Sequence, residues 1–235
     1  MRAFAAIVLT ASFTVALVAG SASGEAAHAS LPQVGESSSP AFLSIVRKRK
    51  IPFGAARKHE MAAYSRRHYG KAEWKLREPK LIVLHSAEAP TFASVFNTFA
   101  SNAPLFGQLP GVCAHFVVGS HGGRVQLVSL RIRCRHVIGL NHVAIGIEHV
   151  GYGPAPVFGN RRQLDSSLRL VKRLRCVFNI PVTGVIGHNE SLRSRYYRER
   201  DSSQRGQTSA DFPRRTMKRY RHRLARLGPC RDSGS

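Results

Sequence analysis

The sequence predicts an α/β (α+β) fold in which a central mixed β-sheet is flanked by helices. Two patterns alternate along the chain: short runs that are apolar at nearly every position, and longer segments in which apolar residues recur at helical spacing. The first pattern is typical of strands covered on both faces, and the second is typical of amphipathic helices. A sheet of such strands needs helices on each side, so we expect one domain with a substantial core.

The elements are predicted in a mixed order. Strands are expected over residues 80–85, 114–118, 124–129, 143–150 and 182–186, and helices over 60–69, 92–101, 164–178 and 214–227. The glycine-rich stretch 119–123 predicts a hairpin turn. The last helix carries an apolar stripe among many basic residues, and we expect it to dock on the domain; a helix on a membrane surface is the alternative.

The beginning of the chain has the pattern of a secretory signal peptide. A basic residue precedes an apolar run and then small residues, which predicts that residues 1–29 are removed and the protein is secreted. An uncleaved membrane anchor is the alternative. Residues 30–41 are rich in Ser, Pro and Gly and predict a linker. A basic leader segment, 42–79, then precedes the main domain at 80–228.

The chain is strongly basic. It contains 36 Lys and Arg against 13 Asp and Glu, which gives a formal net charge of +23 at pH 7. Such a protein attracts polyanions. For an exported protein these are anionic cell-wall polymers, acidic glycans and lipid head groups, so we expect no specific nucleic-acid partner. We expect it to act as a monomer.

Four cysteines are separated too widely for a metal-binding knuckle. In an oxidising compartment they can form two disulfides, with three possible pairings that the sequence leaves open. Buried thiols are the alternative. The four are Cys113, Cys134, Cys176 and Cys230.

Two histidines stand at the ends of apolar runs and are the first candidates for a shared site. His85 closes the run 81–84, and His188 follows the run 182–186 and a glycine. Imidazole is the commonest protein metal ligand, and a catalytic zinc needs a few nitrogen or oxygen ligands with one open position. A single histidine at a strand end is more often packed or capping, so the prediction depends on further residues.

Two carboxylates complete the candidate site. Glu148 lies in the apolar run 144–150, where an unpaired carboxylate is costly to bury. Beside a metal-bound water it would act as a general base, and an ion pair with an arginine is the alternative. Asp211, in a polar loop, is the best candidate for a third ligand. Its rivals are Asp201, Glu190 and Cys230.

Four motifs occur in a characteristic order: LIVLH at 81–85, AHFVV at 114–118, IGIE at 145–148 and GHNE at 187–190. Together they resemble the zinc-dependent N-acetylmuramoyl-L-alanine amidases, a family that includes phage lysozyme-type amidases and peptidoglycan recognition proteins. The resemblance extends from about Lys80 to Arg221.

The resemblance implies an amidase-like and peptidoglycan-recognition-like fold that holds Zn²⁺ in a groove. The ligands would be His85, His188 and Asp211, and Glu148 would be the catalytic acid/base. It implies a secreted, cell-wall-associated enzyme that cleaves the amide bond between N-acetylmuramic acid and L-alanine of peptidoglycan by zinc-activated water.

Three further residues match positions near the peptide-binding groove of the family or lie beside the site. His136 and Asn141 are expected to bind the muramyl peptide. His115 is expected on the sheet beside the metal, and a packed sheet histidine is its alternative.

One position departs from the family pattern. Relatives commonly carry Lys or His two residues before the aspartate ligand, where it is thought to steady the oxyanion, and this chain has Ser209. Loss of one oxyanion donor typically slows an enzyme about 100- to 1000-fold. Either an arginine such as Arg205 or Arg214 substitutes, or turnover is slow. The acidic Glu88, close behind His85, is a further unusual feature.

Three functions therefore follow in order of preference. The first is an exported zinc amidase. The second is a peptidoglycan-binding protein of the same fold with weak or no turnover, which Ser209 favours. The third is a cationic protein that binds polyanions or membranes and whose histidines are structural.

Overall fold

The computed structural model describes residues 46–230. The predicted signal peptide and linker lie outside these residues, as does the start of the leader segment. No helix within 46–230 has the length and apolar character needed to cross a membrane.

Within residues 46–230 there are six strands, five α-helices and two short 3₁₀ helices. The strands are β1 (Arg47–Lys48), β2 (Leu81–Ser86), β3 (Phe116–Val118), β4 (Arg124–Gln126), β5 (Ala144–His149) and β6 (Val185–Gly187). The helices are α1 (Ala55–Tyr69), α2 (Phe92–Ala100), α3 (Pro154–Gly159), α4 (Arg161–Val177) and α5 (Arg214–Ala225), and the 3₁₀ helices are Val182–Gly184 and His188–Arg193.

The strands form one mixed sheet in the order β1-β4-β3-β5-β2-β6. Only β3 and β4 are antiparallel, and they form the predicted glycine-turn hairpin. The central strand β2 pairs in parallel with β5 on one side and β6 on the other. Every residue of β2 and β5 is buried. The α/β prediction is therefore confirmed.

Helices cover both faces of the sheet. On one face, α4 and α5 pack their apolar stripes against Ile82, Leu84 and Ile147. On the other, α2 packs Val95 and Phe99 into a second cluster. The docked position of α5 agrees with its predicted apolar stripe, because Met217, Tyr220 and Leu224 are buried within the first core.

Some element boundaries differ from the sequence prediction. Residues 182–184 form a 3₁₀ turn rather than the start of a strand, since Gly184 N donates to Pro181 O at 2.9 Å. α1 begins at Ala55, five residues before the predicted start. Helix α3 was not predicted, because its sequence contains two prolines, yet proline is favoured in a first helical turn.

The leader segment is part of the folded domain. Arg57 of α1 is 4% exposed and donates to the carbonyl oxygens of Phe99, Gly111 and Val112 at 2.7, 3.3 and 3.1 Å. His68 at the other end of the helix contacts both carboxylate oxygens of Glu199 at 2.9 Å. Both ends of α1 are thus fixed to the rest of the domain by buried charge-assisted hydrogen bonds.

All four cysteines form disulfides. Cys113 pairs with Cys134, and Cys176 pairs with Cys230. The first bond lies inside the second core cluster, and the second ties α4 to the segment that follows α5. This pairing selects one of the three that the sequence left open.

We predict that Arg57→Ala lowers the free energy of unfolding by about 3 kcal/mol, because four backbone carbonyl groups, those of Phe99 and Gly111 in buried contacts, lose a charged donor. Urea unfolding at neutral pH measures the change. Arg66→Ala, on the exposed side of the same helix, is the matched control and should change stability by less than about 0.5 kcal/mol. Equal effects of the two substitutions would show that the carbonyl contacts of Arg57 do not stabilise the domain.

Candidate active site

The site lies where parallel strands end at one edge of the sheet. The register places His85 of β2 directly opposite Glu148 of β5. On the other side of β2, Leu84 is opposite Gly187, so His188 follows at the same level. Because the carboxyl ends of parallel strands meet at one sheet edge, three residues far apart in sequence come together. His149 Nδ1 donates to the His85 carbonyl at 3.0 Å and helps to hold this end of β2.

The loop that carries Asp211 is held against the turn at His188. Asn189 N donates to Asp211 O, and Asn189 Nδ2 donates to Ser209 O, both at 2.9 Å. Phe212 is fully buried and packs directly on Gly187, where a Cβ would lie 1.9 Å from Phe212 O. Glycine at 187 is therefore required for the loop to approach β6 so closely.

His85, His188 and Asp211 form a compact donor set. Their ligand atoms all lie within 4.8 Å of one another. His85 Nδ1 is 3.1 Å from His188 Nδ1, and His188 Nδ1 is 4.0 Å from Asp211 Oδ2. His85 is 3% exposed, whereas the other two side chains are 18% and 14% exposed, so the site opens on the side of His188 and Asp211.

The other acidic and sulfur candidates for the third ligand are engaged elsewhere. Glu190 forms a two-pronged ion pair with Arg221, at 2.7 and 3.0 Å. Asp201 accepts from Ser203, and Cys230 is in a disulfide. Asp211 is the candidate that the fold brings to the two histidines.

A chain of hydrogen bonds fixes the tautomer of His85. The Ala144 carbonyl, 3.3 Å from His136 Nε2, can only accept, so that nitrogen carries the hydrogen. His136 Nδ1 then accepts from His85 Nε2 at 3.0 Å. Both rings are neutral, because burial, together with neighbouring histidines, holds their pKa values well below the usual value. His85 Nδ1 is left with a free lone pair that faces His188.

Burial also sets the charge states of the remaining groups. It lowers the pKa of His188 to about 4. It raises the pKa of Asp211 to about 6, with a further contribution from Glu88, while hydrogen bonds from the Ser86 backbone and the Ser209 side chain act in the opposite direction. Neutral imidazoles beside a carboxylate are the protonation states in which these groups bind a metal cation.

Glu148 is the most perturbed acid of the site. Burial raises its pKa to about 8, and the charges of Asp211 and Glu88 raise it further. Its side chain is 8% exposed, and among residues 46–230 its Oε2 has no hydrogen-bond partner. The alternative of an arginine ion pair is not observed within those residues. A buried carboxyl group without a partner is costly for stability, which makes Glu148 a candidate functional residue.

Two predicted substrate-binding residues lie inside the protein. Asn141 is fully buried, and its Oδ1 accepts from the backbone N–H groups of His136 and Val137 at 2.8 Å. His115 is also fully buried, with Nε2 donating to Ile132 O and Nδ1 accepting from Gly146 N. Their binding of substrate stays a prediction. Of the three, His136 lies nearest the metal-ligand candidates.

Ser209 lies beside the site, and its Oγ accepts from Asp211 N at 3.1 Å. The Ser209 hydroxyl also interacts with the Asp211 carboxyl group and lowers the pKa of that group. The suggested replacements for a cationic residue have other contacts: Arg205 Nε donates to Glu199 O, and Arg214 lines a separate cleft.

Sequence reasoning missed the small residues that make the site possible. A Cβ at Gly146 would lie 2.7 Å from His136 Cγ, so only glycine in this strand leaves room for the ring. The absence of a side chain at Gly187 likewise leaves room for the loop that carries Asp211. The signal was present as a glycine inside each of two otherwise apolar strands, which often marks a close approach of another group.

The sequence matches the N-acetylmuramoyl-L-alanine amidase family over residues 75–206, more than half of the 235-residue chain. The chain belongs to this family. The match covers His85, His136, Glu148 and His188, and it ends before Asp211. No significant match to a curated protein was found.

Several solved structures are similar to this amidase-family chain. The N-acetylmuramoyl-L-alanine amidase LysC from Clostridium intestinale is 20% identical, with 48% of this chain and 72% of that chain covered and a TM-score of 0.38. A selenomethionine derivative of AmpD is 17% identical, with coverage of 62% and 82% and a TM-score of 0.43. The ectodomain complex of peptidoglycan recognition proteins LCa and LCx with tracheal cytotoxin is 19% identical, with 49% of this chain and 74% of that chain covered and a TM-score of 0.42.

The raised pKa of Glu148 predicts a pH-dependent cost in the metal-free amidase domain. Between the unfolded value near 4.5 and the folded value of about 8, the folded state holds a proton that the unfolded state has lost, so stability falls as pH rises through this window. Glu148→Gln removes the cost. In chelator-treated protein, we expect the free energy of unfolding of the variant to exceed that of the parent by a difference that grows between pH 5 and pH 8. This difference should reach roughly a few kcal/mol and stay constant above pH 8.

Urea unfolding at several pH values measures this difference. Glu190→Gln, in an ion-paired carboxylate close by, is the control and should not show the same gain. Parallel pH profiles of the parent and Glu148→Gln would rule out a buried carboxyl with a raised pKa.

Proposed function

We propose that this protein is a secreted peptidoglycan hydrolase that cleaves the amide bond between N-acetylmuramic acid and L-alanine. One observation carries the proposal: in a member of the amidase family, His85, His188 and Asp211 converge within 4.8 Å beside the buried, unpartnered Glu148. The two disulfides are compatible with an oxidising, extracellular compartment.

The donor set fits zinc. Two nitrogens bound to a tetrahedral zinc at about 2.0–2.1 Å lie about 3.3 Å apart, and His85 Nδ1 and His188 Nδ1 are separated by 3.1 Å. Two imidazoles and one carboxylate, with one side open to solvent, are also a ligand combination typical of catalytic rather than structural zinc. We propose that these three residues hold Zn²⁺ and leave one position for water or substrate.

When bound, zinc supplies a water of lowered pKa and polarises the scissile carbonyl. Glu148 would take up a proton from the attacking water and return it to the departing amide nitrogen. Its pKa of about 8 applies to the metal-free site, and a neighbouring cation lowers the pKa of a carboxyl group. A bound cation would therefore lower the pKa of Glu148 from about 8, toward the range in which one group can both accept and donate a proton.

Ser209 is proposed to donate its hydroxyl hydrogen to the oxyanion that develops on the substrate carbonyl. Its Oγ already accepts from Asp211 N, which orients the hydroxyl beside the ligand loop. A neutral donor stabilises negative charge less than a cation does, so turnover is expected to be slow compared with that of lysine- or histidine-bearing relatives.

His136, Asn141 and His115 are proposed to support the groove from within. His136 sets the tautomer of His85, and Asn141 accepts from two backbone N–H groups of the segment that carries His136. His115 hydrogen-bonds to the backbone of Gly146, the glycine that makes room for the His136 ring. Their substitution is expected to act through the metal ligands.

Purified protein is expected to release soluble stem peptide from isolated peptidoglycan, with new free amino groups on L-alanine. EDTA or His188→Ala should abolish this release. EDTA removes the metal, and His188→Ala removes one of its proposed ligands, so in either case no water is activated. Glu148→Gln should retain zinc but lower the rate by about 100- to 10,000-fold, since only proton transfer is lost. Product analysis and zinc determination by mass spectrometry provide the two measurements.

Activity that survives both EDTA and His188→Ala would contradict the proposed function. Ser209 and the family's recognition proteins support a second candidate, a peptidoglycan-binding protein without turnover. Binding to insoluble peptidoglycan and zinc retention, without new amino groups at L-alanine, would favour that candidate. A native protein that contains no zinc would instead favour a cationic binding protein with structural histidines.

Removal of the acceptor at His136 is expected to weaken zinc binding. His136→Leu leaves the His85 Nε2–H group without its partner, and loss of such an outer hydrogen bond costs about 10- to 100-fold in metal affinity. His136→Asn, whose amide oxygen can accept in place of Nδ1, should recover most of this loss. Chelator competition measures both affinities, and an equal loss in the two variants would contradict the hydrogen-bond relay.

A further inference from the structure

A second concave site lies on the outer side of the edge strand β6. It is a cleft of about 610 Å³. Its lining includes the apolar side chains Leu81 and Ile186 and the basic side chains Lys80, Arg193, Arg195 and Arg214, with the ring of Tyr196 beside Arg195. The volume lies within the range of sites that take a ligand of several chemical units rather than a single ion.

Three of the five cations that line the cleft have no acidic partner among the described residues, because Lys80 pairs with Glu78 and Arg221 pairs with Glu190. The one carboxylate of the cleft, Glu190, is already engaged by Arg221 through two hydrogen bonds. Among the described residues 46–230, no carboxylate lies within ion-pair distance of Arg193, Arg195 or Arg214, and all three side chains are exposed. Three guanidinium groups around one concavity repel one another, and a bound polyanion relieves that repulsion.

The cleft is separate from the candidate active site. Lys80 stands at the amino end of β2, and His85 is five residues further along the strand, a span of about 16 Å. None of His85, Glu148, His188 and Asp211 lines the cleft. A ligand in the cleft therefore leaves the groove at His188 free.

We propose that this cleft binds a phosphodiester polymer of the cell wall, a chain of polyol or sugar units joined by phosphates. Guanidinium groups match phosphate oxygens in a bidentate way, and the three cations of the cleft that lack an acidic partner among the described residues are all arginines. The apolar floor and the Tyr196 ring supply contact surface for the carbon units between successive phosphates.

The two disulfides favour a wall polymer over nucleic acid as the source of the phosphodiester, because they form in compartments where wall polymers are exposed. The site holds the protein on the wall through a contact that does not depend on the amide-cleaving chemistry. A chain of net charge +23 attracts polyanions in general, and this proposal assigns their binding to one defined surface, the cleft beside β6.

The test compares two charge-matched triple variants of the full-length mature protein for binding to soluble poly(glycerol phosphate). Arg193→Gln/Arg195→Gln/Arg214→Gln alters the cleft. Arg161→Gln/Arg162→Gln/Arg169→Gln removes the same number of charges from a second basic concavity, of about 500 Å³. Circular dichroism and a cooperative urea transition confirm folding of both.

The cleft variant is expected to bind at least about tenfold more weakly, and its slope of log K against log salt should fall by about 2, because three phosphate contacts are lost. The control variant should lose less than about threefold. Equal losses in the two variants would overturn the proposal in favour of diffuse surface charge. Equal or tighter binding of single-stranded DNA through the same three arginines would overturn the assignment to a wall polymer.

Discussion

The parallel pairing of β2 with β5 and β6 is the constraint on which the rest of this structure depends. It places His85 opposite Glu148 and at the same level as His188, although Glu148 and His188 lie 63 and 103 positions after His85 in the chain. A slip of one residue in either pairing would turn the functional side chains to the opposite face of the sheet. The residues that precede the functional side chains in these strands are apolar and are buried by helices on both faces, and they hold the register.

Buried polar groups then fix the details of the site. His136 is held between His85 and the Ala144 carbonyl, so the proton positions around His85 are set by a backbone acceptor that cannot change its role. Arg57 similarly satisfies backbone carbonyls where the leader joins the domain. In both cases the side chain is held by a main-chain oxygen inside the protein. Salt screens buried contacts much less than contacts between exposed charges, so the positions of His136 and Arg57 depend little on ionic strength.

Charge is divided between the interior and the surface of the molecule. The candidate active site is lined by neutral histidines and by the acidic groups Glu148, Asp211 and Glu88, two of which have raised pKa values because of burial. The surface carries most of the positive charge, and at the β6 cleft three arginines lack acidic partners. A chain of this kind can adhere to polyanions outside the groove while the groove itself remains suited to a cation and a peptide.

The sequence by itself determined the fold class, the helices with clear apolar stripes, and the residues that can serve as ligands and as acid/base, since apolar periodicity and chemically costly residues are local properties. Only the tertiary structure decided the cysteine pairing, the placement of Asp211 rather than Glu190 or Asp201 beside His85 and His188, and the inward placement of Asn141. These outcomes depend on which strands pair and on where Gly146 and Gly187 permit close approach. Such contacts join distant parts of the chain, and no local pattern records them.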